Sequence, residues 1–110
     1  MLTDIEKKFY YDQGYLLVEN VINQKQLKEI SNITNELLEK SKIISKSDDV
    51  FDLADGHSPA FPKVSRIIQP HQVNKYFWNL IKESKIEQIL IDLLGPNISL
   101  KTSKLNTKFP

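Results

Sequence analysis

The order of residues in this 110-residue chain predicts an α+β fold. Three observations carry that reading. Apolar residues recur at helical spacing before residue 41 and again between residues 73 and 94, short apolar runs interrupt them, and the last residues change to a period of two. The first helix opens on a capping box, in which the Thr3 hydroxyl accepts from the Glu6 amide while Glu6 reaches back to Thr3. Ile5 and Phe9 share one side of it, and Gly14 supplies the left-handed residue that ends it. Residues 15–18 (Tyr-Leu-Leu-Val) follow directly, and so brief an apolar run after a stop signal predicts a buried strand. Asn23 then caps the longest helix, expected over residues 24–41, with Leu27, Ile30, Thr34, Leu37 and Leu38 along one stripe.

Residues 41–62 gather Ser, Asp, Gly and Pro and predict an extended loop, with a short strand over residues 50–53. A loop of that length in a domain serves as a lid or a substrate loop, or stays disordered. Residues 64–68 predict a further strand, stopped by Pro70. Val73, Phe77, Leu80 and Ile81 then fit one helical face. Ser84 and Glu87 offer a second capping box ahead of a stripe of Ile86, Ile89, Leu90, Leu93 and Leu94, which Gly95-Pro96 closes. From Asn97 onward Ile98, Leu100, Thr102, Lys104, Asn106 and Lys108 fall on one face of a strand, and Ser99, Lys101, Ser103, Leu105, Thr107 and Phe109 on the other. Such a strand needs sheet partners that the preceding sequence supplies only in short pieces. With Lys108-Phe109-Pro110 as its last residues, the chain reads as the N-terminal portion of a larger domain.

Composition excludes several classes of function. With 15 Lys and Arg against 14 Asp and Glu the net charge is +1, too little to steer the chain to nucleic acid or an anionic membrane. The absence of Cys excludes disulfides and thiolate-ligated metal sites, leaving His57 and His71 as the sole imidazoles. No apolar run approaches a membrane span of about 18–20 residues, and the acidic start lacks the blocks of a signal peptide, so a cytoplasmic location is expected. Tyr76, Phe77 and Trp78 point in different directions on a helix and do not form a stacking platform for nucleic acid. Asp52, Asp55 and His57 lack the order and spacing of a metal motif, and Asp55-Gly56 reads as a turn. His71, after Pro70, reads as a polar residue at a helix start.

Two strings in this order are similar to a known family. Asp12-Gln13-Gly14-Tyr15-Leu16-Leu17-Val18-Glu19-Asn20-Val21-Ile22 before a long amphipathic helix, and Asp92-Leu93-Leu94-Gly95-Pro96-Asn97-Ile98-Ser99-Leu100 running on to Ser103-Lys104-Leu105-Asn106, resemble the N-terminal part of the phytanoyl-CoA dioxygenase family. The resemblance implies an iron(II)- and 2-oxoglutarate-dependent oxygenase built on a double-stranded β-helix of jelly-roll or cupin type. Its iron would sit in a two-His, one-carboxylate triad that leaves positions open for co-substrate and oxygen. The triad begins with His-x-Asp, which this sequence does not contain; it is expected after Pro110. The resemblance therefore implies no catalytic residue and no metal ligand within the chain, a cofactor pair of Fe(II) and 2-oxoglutarate for the full-length protein, and a small organic substrate with O2 as partners.

Three residues correspond to co-substrate positions under that resemblance. Lys104 and Asn106 match the strand that lines the cavity, and Arg66 matches a basic residue that helps hold 2-oxoglutarate. Strand alternation independently places Lys104 and Asn106 on one face. Arg66 is the single Arg among the 15 basic residues, and its planar guanidinium suits a bidentate carboxylate contact that Lys cannot copy. Two plainer readings stay open: Arg66 in a salt bridge to Asp48, Asp49 or Asp52, and Lys104 and Asn106 on a solvated edge strand. A truncated or degenerate relative acting as a helical interaction module, and a binding protein unrelated to oxygenases, are the alternatives at the level of function.

Overall fold

A computed structural model of the protein describes residues 1–108. Its elements are α1 (Asp4–Gln13), α2 (Gln24–Ser41), β1 (Phe51–Leu53), β2 (Val64–Ile68), α3 (Pro70–Val73), α4 (Lys75–Glu83), α5 (Lys85–Leu94) and β3 (Lys104–Asn106). The strands form one antiparallel sheet in the order β1-β2-β3, so the architecture is α+β with β2 at the centre.

The sheet works because β2 carries a bulge. Phe51 pairs with Ile67 and Asp52 with Arg66, but Leu53 pairs with Val64, which leaves Ser65 without a partner on β1. Residues 64 and 67 are an odd number of steps apart and would face opposite sides of a regular strand. The extra residue restores them to one side, and both are buried, Ile67 to 0% exposure. They meet Ile33 and Leu37 of α2, Phe51 of β1 and Phe77 of α4 in one core cluster, with Leu105 of β3 against its edge. Burying Ile67 alone stabilises the fold by about 1.5–3 kcal/mol.

Local signals account for the helices. The Thr3 capping box forms in both directions, and Gly14 ends α1 in the left-handed region at φ 81°. Asn23 caps α2 and makes a reciprocal box with Gln26. Ser84 caps α5 by accepting from the Ile86 amide, but the expected return bond from Glu87 is not made. A single helix over residues 73–81 is also not what forms. Asn74 is extended, at φ −139°, and its side chain caps the Tyr76 amide, so the chain breaks there into α3 and α4.

Two strand expectations need correction. Residues 15–18 form no strand: Tyr15 and Leu17 are exposed, and no strand among the described residues pairs with them. Tyr15 instead packs edge-on against Phe9. The period-two stretch after Asn97 is a strand only over Lys104–Asn106. Lys104 is opposite Ile68, where β2 ends, so residues 98–102 lie past the end of the ladder they would have joined. Phe109 and Pro110 lie outside the described residues.

The loop of residues 41–62 is held at many points rather than open. Asp48 accepts from the amides of Val50 and Phe51, and Ser47 from that of Leu53. Beyond β1, the Lys63 amide donates to His57 Nδ1 at 2.9 Å, which leaves Nε2–H to donate to the Ser41 carbonyl at 3.0 Å. His57 thereby ties the β1–β2 connection to the C-terminal end of α2. Gly56 turns this connection at φ 84°.

Helix α1 is the least integrated part. None of its residues is buried, and the N-terminal segment touches α5 through Leu2 N–H donating to Asp92 and Tyr11 O–H donating to the Leu93 carbonyl. The radius of gyration is 16.8 Å, against about 13 Å for a compact domain of similar length, and the longest extent is 51 Å. The Leu2 amide, and secondarily Gln88, hold the Asp92 carboxyl below its ordinary value of 3.8. Because the folded value is the lower one, the contact is fully present above the ordinary carboxylate range and is lost as pH falls through the lowered value. Acid titration followed by NMR is expected to move the Leu2 amide resonance with a midpoint below 3.8, and Asp92→Asn to abolish that titration.

Candidate functional site

The face of the sheet opposite the core carries the polar residues singled out in the sequence. Asp52, Arg66 and Asn106 form one row across the three strands, and Ile68 and Lys104 form the next pair. Because Arg66 is next to the fully buried Ile67, strand alternation directs it outward, and its neighbours on β1 and β3 follow the same pleat. A hollow of about 400 Å³ on this face is lined by Asp52, Arg66, Ile68, Thr102, Ser103 and Lys104. Arg66 and Lys104 thus line one hollow, whereas Asn106, across from Arg66 in the ladder, does not line it.

Arg66 Nε lies 2.8 Å from Asp52 Oδ2, with both side chains substantially exposed. This is one of the pairings that the sequence left open. An exposed pair of this kind contributes about 0–1 kcal/mol, so it orients the guanidinium more than it stabilises the sheet. Lys104 and Asn106 are exposed as well. No carboxylate among the described residues lies within salt-bridge distance of Lys104.

The residue missed in the sequence is Gln69. It follows β2 in the left-handed region, at φ 50° and ψ 56°, a conformation costing roughly 1–2 kcal/mol for a side chain with Cβ. Its backbone N–H donates to the Ser103 carbonyl at 3.0 Å, and its side-chain oxygen accepts from the Ser103 amide at 2.8 Å and from Thr102 Oγ1 at 3.3 Å. His71 Nδ1 lies 2.5 Å from Ser103 Oγ. Gln69 and His71 therefore clasp the strand end next to Lys104 and extend the β2–β3 pairing by side-chain means. The Gln-Pro pair was the available signal, since a residue before Pro is driven out of the right-handed helical region.

Neither imidazole is arranged as an iron ligand. His57 uses both ring nitrogens inside the loop, and His71 faces Ser103. No group of three or more His, Cys, Asp or Glu residues that could hold a metal ion occurs among the described residues. The donor set of a facial triad is thus not met by these side chains. By contrast, a guanidinium and an ammonium in one hollow suit the carboxylates of a small organic acid. No helix among the described residues is long and apolar enough to cross a membrane.

The chain is 22% identical over 105 residues, 96% of its length, to a probable alpha-ketoglutarate-dependent hypophosphite dioxygenase of Stutzerimonas stutzeri. It spans 37% of the length of that relative. No family model matches the chain. No solved structure matches it either. The chain is therefore distantly related to a 2-oxoglutarate-dependent dioxygenase.

Replacing Gln69 by Ala is expected to release residues 102–104 selectively. Hydrogen exchange at the Ser103 amide should quicken at least several-fold, while exchange at the Ile68 amide, which donates to the Val50 carbonyl on the β1 side, stays slow. The overall loss of stability should be about 1 kcal/mol, the net worth of a typical hydrogen bond, since Ala retains the Cβ and with it the cost of the left-handed conformation.

Proposed function

We propose that this chain is the N-terminal part of an iron(II)- and 2-oxoglutarate-dependent dioxygenase of the phytanoyl-CoA dioxygenase type, and that Arg66 and Lys104 anchor the co-substrate carboxylates. The observation that carries the reading is the similarity to a 2-oxoglutarate-dependent dioxygenase along 96% of the chain. The hollow between Arg66 and Lys104 supports the assignment of the anchors. In this reading the three-stranded sheet is the beginning of a double-stranded β-helix, and its polar face becomes the inner wall of the cavity once further strands cover it.

Iron(II) would be held by residues other than those described, and when bound would provide the activation of O2. The whole enzyme would couple oxidative decarboxylation of 2-oxoglutarate, giving succinate and carbon dioxide, to hydroxylation of a small organic substrate. Within this chain the chemistry is recognition. Arg66 offers a planar, permanently charged set of donors to one carboxylate, and Lys104 offers a point charge to the other. Clasping by Gln69 and His71 fixes the strand end from which Lys104 projects. Asn106, exposed in the same row as Arg66, is assigned to the cavity wall and not to the carboxylates.

A second reading rests on the exposure of Lys104 and Asn106: a polar sheet face of an α+β binding protein without oxygenase chemistry. The two are separated by supplying iron(II), 2-oxoglutarate and ascorbate to the full-length protein. Succinate release is expected, and Arg66→Ala should raise the KM for 2-oxoglutarate by roughly 10- to 100-fold, the worth of a charge-assisted contact. Arg66→Lys should restore little of it. Neither metal binding nor succinate in the wild-type protein would select the second reading.

A further inference from the structure

We infer that Asp52 is an internal competitor for the anion site: its carboxylate occupies Arg66 when the hollow is empty, and a ligand carboxylate takes its place on binding. The inference rests on the assignment of Arg66 and Lys104 as carboxylate anchors and adds what controls access to them.

The geometry has the features of an exchangeable pair. Asp52 and Arg66 are directly opposite one another in the β1–β2 ladder, so their contact needs no movement of the backbone to form or break. The carboxylate meets the guanidinium at Nε, 2.8 Å away, and no other hydrogen-bond partner of either side chain occurs among the described residues. Both side chains are open to solvent, at 46% exposure for Arg66 and 36% for Asp52, so water and ions reach the pair freely. Exposed pairs of this kind are weak, and their partners exchange readily for a better-placed anion. Asp52 also lines the hollow together with Arg66 and Lys104. A ligand carboxylate that approaches Arg66 therefore meets a like charge until Asp52 swings aside.

This arrangement sets a requirement on the ligand. Lys104 has no carboxylate partner among the described residues and can capture a first anionic group at once. A second group on the same molecule then competes for Arg66 at high local concentration, whereas a separate monocarboxylate competes only from bulk solution. Asp52 thus favours dicarboxylates over monocarboxylates of the same length.

The test is calorimetric titration of the full-length protein with 2-oxoglutarate and, in parallel, with the monocarboxylate 2-oxopentanoate. Asp52→Asn is expected to bind 2-oxoglutarate about 3- to 10-fold more tightly and to narrow its preference over 2-oxopentanoate, as loss of an exposed competing charge requires. Arg66→Ala should weaken binding and erase the effect of Asp52→Asn in the double variant. In the wild-type protein, the Arg66 Nε–H resonance should shift on addition of 2-oxoglutarate, which reads the displacement without any substitution at Asp52. Unchanged affinity in Asp52→Asn, or an Arg66 Nε–H signal unmoved by saturating ligand, overturns the competition while leaving the anchors in place if Arg66→Ala still weakens binding. Equal binding by the wild type and Arg66→Ala overturns the anchors themselves.

Discussion

The bulge at Ser65 governs the rest of this structure. A regular β2 would bury either Val64 or Ile67 and turn the other to solvent, because side chains alternate strictly along a strand. One unpaired residue lets both enter the core, while alternation from Ile67 directs Arg66 outward between Asp52 and Asn106. The core and the candidate site are opposite faces of one strand. Any one-residue change of register in β2 would move Ile67 into water and Arg66 into the cluster of Ile33, Leu37, Phe51 and Phe77.

Around that strand, stability and recognition are divided between faces. The inner face is packed by α2 and α4 and contains the residues whose burial supplies most of the folding energy. The outer face carries charges in a hollow, with an ion pair too exposed to contribute much to stability. A weak pair is suited to a site that must exchange partners. Strain at Gln69 belongs to the same face: the left-handed turn is tolerated because it brings one side chain onto both Thr102 and Ser103, next to Lys104.

Apolar surface is distributed unevenly over the molecule. Ile5 and Leu17 near the N-terminus and Leu94 at the end of α5 stand well exposed, and α1 adheres through polar contacts near its ends and buries no residue. The core is correspondingly small, confined to the sheet, α2 and α4. This distribution follows from a sheet of three short strands, which can cover only the helices that lie directly over it.

Local chemistry was enough to read much of this from the residues. The caps at Thr3, Asn23 and Ser84, the stop at Gly14 and the span of β2 depend on neighbours within a few positions, and all are present. The pairing of Arg66 was narrowed by the sequence to three nearby aspartates, and the fold selected Asp52 by placing it across the ladder. Residues 15–18 misled because an apolar run specifies burial or pairing only if a partner strand exists, and partners are supplied by distant sequence. The shortness of β3 was hidden for the same reason, whereas the break at Asn74 and the turn at Gln69 carried local signals, an Asn able to cap the Tyr76 amide and a residue before Pro. The identity of the residues was sufficient to mark most of the helical segments, their starts and the side chains able to recognise an anion, since those properties are local. Which of these side chains share a hollow depended on the assembled sheet: the register of β2 against β1 and β3 brings Asp52, Arg66 and Lys104 to one face, and that register is defined only by the partner strands.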